Sequence, residues 1–257
     1  MILFTHIEKT AGTTFKSILF SNYGIHTVDA NKTKKKIFTK KDLDQARRIF
    51  FGIQAVSGHN LSDPTRNIMA KNASLITILR DPYIRCASHY QDKVLRGNLE
   101  MSFKEWIQQK ENQNFMVRSI SGNADLQRAK ELLKNDYFFT VFTERFNESL
   151  QLLNCLLEKP LRLKYKKLIV ASSNDIKNKL LSDEKSLELL KKYNDLDRQL
   201  YDYVLKELYL PLLERHSDKL ENEQPPVTGH DIKSQWKFKS GFLYNKFIYR
   251  QLIKLLR

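Results

Sequence analysis

Ile2-Leu3-Phe4-Thr5-His6-Ile7-Glu8-Lys9-Thr10-Ala11-Gly12-Thr13-Thr14-Phe15 begins as an apolar run, passes through a polar loop and returns to an apolar pattern. Residues 2–6 predict a short buried strand, and residues 8–14 predict a loop that enters a helix near Gly12. A turn of this kind collects anions. Free backbone N–H groups of the loop and the helix N-terminus converge on one phosphate, with Lys9 adding a full charge and Thr13 and Thr14 adding hydroxyls. The spacing differs from the nucleoside-triphosphate loop G-x-x-x-x-G-K-[ST], whose lysine follows the second glycine. Here Lys9 precedes Gly12. These residues alone leave two readings open: a phosphate loop, or an ordinary strand-turn-helix with a surface lysine.

A second stretch favours the phosphate loop. Ile76-Thr77-Ile78-Leu79 predicts an apolar strand that runs into Arg80-Asp81-Pro82, with Arg85 and Ser88 on the helix that follows. Arg80 at a strand end and Ser88 about two turns later make a second anion site. Two phosphate sites imply a bisphosphorylated ligand.

Thr5 to Phe15 resembles the 5'-phosphosulfate loop of sulfotransferases that use 3'-phosphoadenosine 5'-phosphosulfate (PAPS), especially the carbohydrate group related to heparan sulfate 2-O-sulfotransferase. Leu79-Arg80-Asp81-Pro82-Tyr83-Ile84-Arg85-Cys86-Ala87-Ser88-His89-Tyr90 resembles that family's 3'-phosphate segment, and the order and separation of the two agree. The similarity continues through Thr143–Leu150 and Asn194–Tyr201, so it covers roughly residues 1–210. The resemblance implies an α/β fold: a P-loop-like three-layer sandwich with a central, mostly parallel sheet flanked by helices. It further implies that Lys9, Thr10, Ala11, Gly12, Thr13 and Thr14 hold the 5'-phosphosulfate and that Arg80 and Ser88 hold the 3'-phosphate. The scheme requires no metal. Glu8 departs from the family pattern, which has proline there; the change gives up a fixed φ but removes no phosphate-contacting group.

Gln54 to His59 predicts a strand ending in a tight, exposed turn, which puts His59, after Gly58, where α/β sheets bind ligands. Its ordinary pKa of about 6.5 lets a neutral imidazole take a proton from a sugar hydroxyl. A structural or solvent-facing histidine is the competing reading. The resembled family places a base histidine after glycine between its two phosphate motifs, which implies catalytic roles for His59 and Lys9. Arg66, His89 and Arg118 join His59 as candidate acceptor contacts. Packing or surface ion pairs compete for each of them.

The chain of 257 residues carries a formal charge of +15, which favours anionic partners without choosing among them. Its two cysteines, Cys86 and Cys155, rule out a disulfide framework and a cysteine metal cluster. No apolar stretch approaches the ~20 residues that cross a bilayer. No basic-then-apolar leader precedes the loop, so the expected location is cytoplasmic, with peripheral association with the inner membrane face left open. Animal members of the resembled family are luminal and anchored, which keeps a Golgi-luminal origin as the alternative.

The expected organisation is a sulfotransferase-like domain over residues 1–220, a linker over 221–232 and a basic amphipathic segment over 233–257. The basic segment Lys32–Lys41 reads either as a polyanion patch near the sulfuryl site or as a solubilising loop. Leu168–Ala171 predicts a late strand, and residues 175–215 predict long helices with an apolar stripe from Leu189 to Leu208. In the final segment Trp236, Phe242, Leu243 and Phe247 mix with lysines and arginines. Peripheral membrane contact, docking onto the body and self-association all fit that mixture.

The favoured function is sulfuryl transfer from PAPS to a hydroxyl of a saccharide, polysaccharide or glycolipid that is acidic in character, with no specific nucleic acid partner. The alternatives are a basic glycan- or nucleic-acid-binding protein without catalysis, and a P-loop kinase. The kinase is disfavoured by the absent triphosphate signature.

Overall fold

In the computed structural model, residues 1–62, 73–97, 99–165, 173–221, 225–229 and 231–255 are described. Arg66, the predicted strand Leu168–Ala171 and parts of the expected linker lie outside them. Ile2–Thr5 forms β1, the centre of a five-stranded sheet in the order β2 (Thr27–Asp29), β3 (Ala55–Gly58), β1, β4 (Ser74–Leu79), β5 (Phe139–Phe142). Every pairing is parallel, with Leu3 opposite both Val56 and Leu75.

The two-residue period of the strand sorts side chains between two cores. Ile2 and Phe4 face α1 (Gly12–Tyr23), where Phe15, Ile18 and Leu19 are buried with Ile76 and Ile78. Leu3 faces the other way, onto Val28, Val56 and the apolar side of α2 (Lys40–Ile49). Helices on both faces make this an α/β three-layer sandwich. Thr39 starts α2 through a reciprocal capping box with Asp42. The basic run before it is partly neutralised, because Lys32 pairs with Asp29 at 3.6 Å and Lys35 pairs with buried Asp42.

The helical run after residue 175 is broken into Asp175–Ser182, Glu184–Tyr193 and Asp195–Tyr203. The break at buried Asn194 divides the apolar stripe. Leu190 packs with Cys86 and Trp106 beside α3 (Pro82–Leu95), whereas Leu200 and Val204 join the main core. A two-stranded parallel sheet joins Lys164–Tyr165 to Val227–Thr228, so the stretch expected to be a linker carries a strand.

The C-terminal segment is docked along its length. Ile232–Leu243, a wide turn of π-helix over Tyr244–Tyr249, and Arg250–Leu255 form one helical rod. Gly241 lies so close to Gly24 that a Cβ would stand 2.4 Å from the Gly24 carbonyl oxygen. Asn245 caps the exposed edge of the sheet: its amide donates to the Thr27 carbonyl at 2.7 Å and accepts from the Asp29 N–H at 2.7 Å. Tyr249 and Ile253 then complete the core around Leu3 and Phe50.

Candidate active site

The carboxyl ends of β1, β3, β4 and β5 surround a cleft of about 960 Å3. This is where parallel α/β sheets gather ligand-binding loops. The loop after β1 holds Lys9 at φ 67° and Ala11 at φ 64°, left-handed values that non-glycine residues rarely adopt. Such strain persists where the surroundings over-determine it, and here four contacts do so. Arg80, at the end of β4, donates from its guanidinium to the Lys9 carbonyl at 2.9 Å. Thr143, after β5, donates to the Thr10 carbonyl at 3.1 Å. From α3, one turn apart, His89 Nε2 meets Glu8 at 2.9 Å and Asp92 meets the Lys9 ammonium at 3.1 Å.

Thr10 is buried; its own hydroxyl donates to the Ile7 carbonyl at 2.9 Å, so it shapes the loop from beneath. Ala11, Gly12, Thr13 and Thr14 line the cleft, and no side chain caps the start of α1. The first N–H groups of that helix are therefore left for an anion. Gly12 has a second role. A Cβ there would lie 2.0 Å from the Cδ2 of His6, so only glycine lets the His6 ring cover the helix start.

His6 and His59 stand ring to ring, 4.1 Å apart. Burial, followed by the neighbouring His59 charge, pushes the pKa of His6 well below the ordinary imidazole value. His59 is exposed and lines the cleft, with its N–H held by Asn31 at 2.9 Å. Its Nδ1 lies 2.6 Å from the His6 carbonyl. A carbonyl can only accept, so Nδ1 carries a proton, and in the neutral ring the lone pair then lies on Nε2. Nε2 has no hydrogen-bond partner among the described residues.

Arg80 and Ser88, expected to form a second anion site, both line the cleft. Arg80 forms no ion pair among the described residues, and its Nε is buried without a partner. Burial lowers its pKa, with Glu144 and Asp81 acting in the opposite direction. A half-buried guanidinium with an unsatisfied donor fits a phosphate. Ser88 lines the same cleft, as do Lys93, Arg96 and Lys177 on the basic side and Phe146 and Tyr165 on the aromatic side.

Other sequence candidates sit elsewhere. His89 is buried between Trp106 and Phe115 and reaches the site only through Glu8. Burial lowers its pKa, while the hydrogen bond from His89 brings Glu8 down to about 2. Arg118 is half-buried on Phe115–Ser121 and is not part of the cleft wall. Arg85 is fully buried, with its guanidinium 4.7 Å from the Phe115 ring centroid. Asp81 caps α3 and pairs with Arg198. Glu144 accepts from the Asp81 N–H and from the Tyr201 hydroxyl.

The sequence reading missed Asp92 and Thr143 as clamps on the loop. Asp92 carried a weak signal in its one-turn spacing from His89, while Thr143 became meaningful only once β5 was placed beside β4.

Residues 1–204 match the profile described as the sulfotransferase family. The chain belongs to that family. A sequence search against curated proteins found no match. A sulfotransferase of this family uses PAPS as its donor. Among the described residues, no cluster of three His, Cys, Asp or Glu side chains is placed to hold a metal ion. No described helix is long and apolar enough to cross a membrane.

Proposed function

We propose that this sulfotransferase transfers a sulfuryl group to a hydroxyl of a carbohydrate acceptor, a polysaccharide or glycolipid of acidic character, with His59 as the base. The observation that carries the proposal is the 2.6 Å contact of His59 Nδ1 with the His6 carbonyl, beside the anion loop. It fixes the tautomer in which Nε2 can accept a proton.

Bound PAPS supplies the sulfuryl group, and its departure leaves adenosine 3',5'-bisphosphate. Lys9 and the N–H groups at the start of α1 hold the phosphosulfate end and stabilise charge on the leaving oxygen. Lys9 must exchange Asp92 for the donor to do so, and Arg96, which also pairs with Asp92 at 3.0 Å, keeps that carboxylate satisfied afterwards. Arg80 and Ser88 hold the 3'-phosphate. His59 orients the acceptor hydroxyl and takes its proton as oxygen attacks sulfur. Catalysis is chiefly positioning and fixed charge. Lys93, Arg96 and Lys177 at the rim supply the attraction for an acidic acceptor.

Calorimetric titration with adenosine 3',5'-bisphosphate tests the donor site: micromolar binding is expected, and Arg80→Ala should abolish it. Removing the base should act differently. His59→Ala is expected to lower turnover by roughly 10²–10⁴-fold with product-nucleotide affinity unchanged. Undiminished turnover in that variant rejects His59 as base. Polyanion binding with neither nucleotide binding nor transfer would instead favour a non-catalytic glycan-binding protein.

A further inference from the structure

The C-terminal rod carries large apolar residues on the side away from the body as well as on its docked side. Through Asn245 the face docked on the body is largely small and polar, with Ser234, Gly241 and Asn245 buried and Asn245 bonded to the free edge of β2; it turns apolar at Tyr249 and Ile253, which are also buried. The opposite face carries Ile232, Trp236, Leu243 and Phe247, which are 86%, 72%, 50% and 59% exposed. Their spacing of four, seven and four residues keeps them on one stripe. Rotating the helix to hide that stripe would break the Asn245 bonds and lose the close approach of Gly241 to Gly24, so the orientation is fixed from the docked side.

The stripe runs on beyond the rod. Tyr244 and Tyr249 pack their rings on Phe50, at 5.0 and 4.9 Å, and the next residue, Phe51, is 93% exposed. His26 Nδ1 lies 2.7 Å from the Phe51 carbonyl, and Ile25 beside it is 45% exposed. Residues 232–257 contain seven Lys and Arg and no Asp or Glu. Lys233, Lys239, Lys246 and Lys254 are exposed beside the stripe, and the Lys246 ammonium rests 5.0 Å from the Phe247 ring centroid.

From this pattern we infer that the outer face of the C-terminal rod is a docking surface for an anionic lipid membrane. An apolar stripe flanked by lysines matches the boundary between acyl chains and anionic headgroups, with the rod lying in the plane of the interface. A second copy of the chain is a poorer occupant, because a two-fold contact would press one acid-free basic helix against another. The inference does not depend on the proposed acceptor or base. It gives the protein a way to work at a surface where lipid-linked or exported saccharides are assembled.

The test uses the full chain and vesicles of phosphatidylcholine with or without phosphatidylglycerol. The chain has two tryptophans, and Trp106 is only 3% exposed, so a blue shift of emission on adding vesicles reports Trp236. Co-sedimentation with anionic vesicles and little with neutral ones is expected. Trp236→Ser with Phe247→Ser should reduce it by more than tenfold. Replacing Lys239 and Lys246 with Gln should reduce it by a similar factor, since each basic residue near an anionic surface contributes roughly fivefold. Both variants alter exposed side chains, and adenosine 3',5'-bisphosphate binding serves as the check that the fold and donor site are intact. Absence of anionic-vesicle binding overturns the inference. So does binding that survives loss of the apolar pair, which would mean charge alone, or a dimer in sedimentation velocity that the apolar substitutions dissolve without any vesicle binding.

Discussion

The loop after β1 and the C-terminal rod use charge in opposite ways. In the loop the charged side chains and two carbonyls have partners inside the protein: Glu8 with His89, Lys9 with Asp92, and the Lys9 and Thr10 carbonyls with Arg80 and Thr143. On the outer face of the rod the exposed lysines have no carboxylate from Ile232 onward in their own sequence. The loop is therefore pre-organised, with left-handed residues at Lys9 and Ala11 held before any ligand arrives, and its charge acts over one short distance. The rod's charge is instead spread along the helix, so that docking on an anionic surface, as inferred above, would draw on several lysines at once. Deleting one lysine should be severe in the first region and mild in the second.

That contrast gives the largest expected effect. Lys9→Ala should lower turnover at saturating donor by about 10²–10³-fold, the cost of removing one charge-stabilising group in a preorganised site. Lys239→Gln should leave turnover on a soluble acceptor within about twofold, as expected for a surface substitution remote from the cleft. Initial-rate assays on the two variants side by side check both. Equal losses would mean that the loop lysine is only a surface charge, as the local sequence alone permitted.

The rod itself offers the next test, between its two faces. Asn245→Ala leaves the Asp29 N–H and the Thr27 carbonyl without their partner in a buried position, and should cost about 2 kcal/mol. Trp236→Ser, on the opposite face of the same rod, should change stability by about 0.5 kcal/mol or less. Urea unfolding of the full chain separates the two. Comparable losses would show that the outer face is also held by the protein.

The same contrast explains what could be read from the sequence. The course of the loop was legible because its code is local: a strand, a lysine and a glycine at a helix start fall within a dozen residues, and the structure sets them in the cleft wall. Arg80 and Ser88 could be placed on one cleft for the same reason, since a strand end and the helix that follows it carry both. Gly12 was only half legible, since its need to admit the His6 ring depends on where that ring folds. The Glu8–His89 contact was hidden because it spans two elements, and Glu8 alone read as a loss of proline rigidity. The rod was ambiguous for a more basic reason. Its composition marks it as amphipathic, but which stripe docks is decided by Gly24, Thr27 and Asp29, more than 200 residues away in the chain.

The smallest expected effect separates the two regions by pH. Glu8 falls from its ordinary 4.5 to about 2 in the folded protein, because His89 holds its carboxylate. A carboxyl with a depressed folded pKa adds stability that is complete above about pH 4.5 and lost as pH falls toward 2. His89 pulls the same way: burial lowers its folded pKa, so below about 6.5 the unfolded chain takes up a proton that the folded chain resists. The Glu8 side chain is 37% exposed, so solvent screening reduces its share to about 1 kcal/mol. Glu8→Gln should therefore be less stable than the parent by about that amount at pH 7, with the gap closing as pH falls toward 2. The Asn245→Ala penalty should stay level over the same range, because an amide does not titrate. Urea titrations at several pH values check the pair. A Glu8→Gln penalty as flat as that of Asn245→Ala would show that the loop is pinned at this point by shape and hydrogen bonding, and that proline in its place would serve as well.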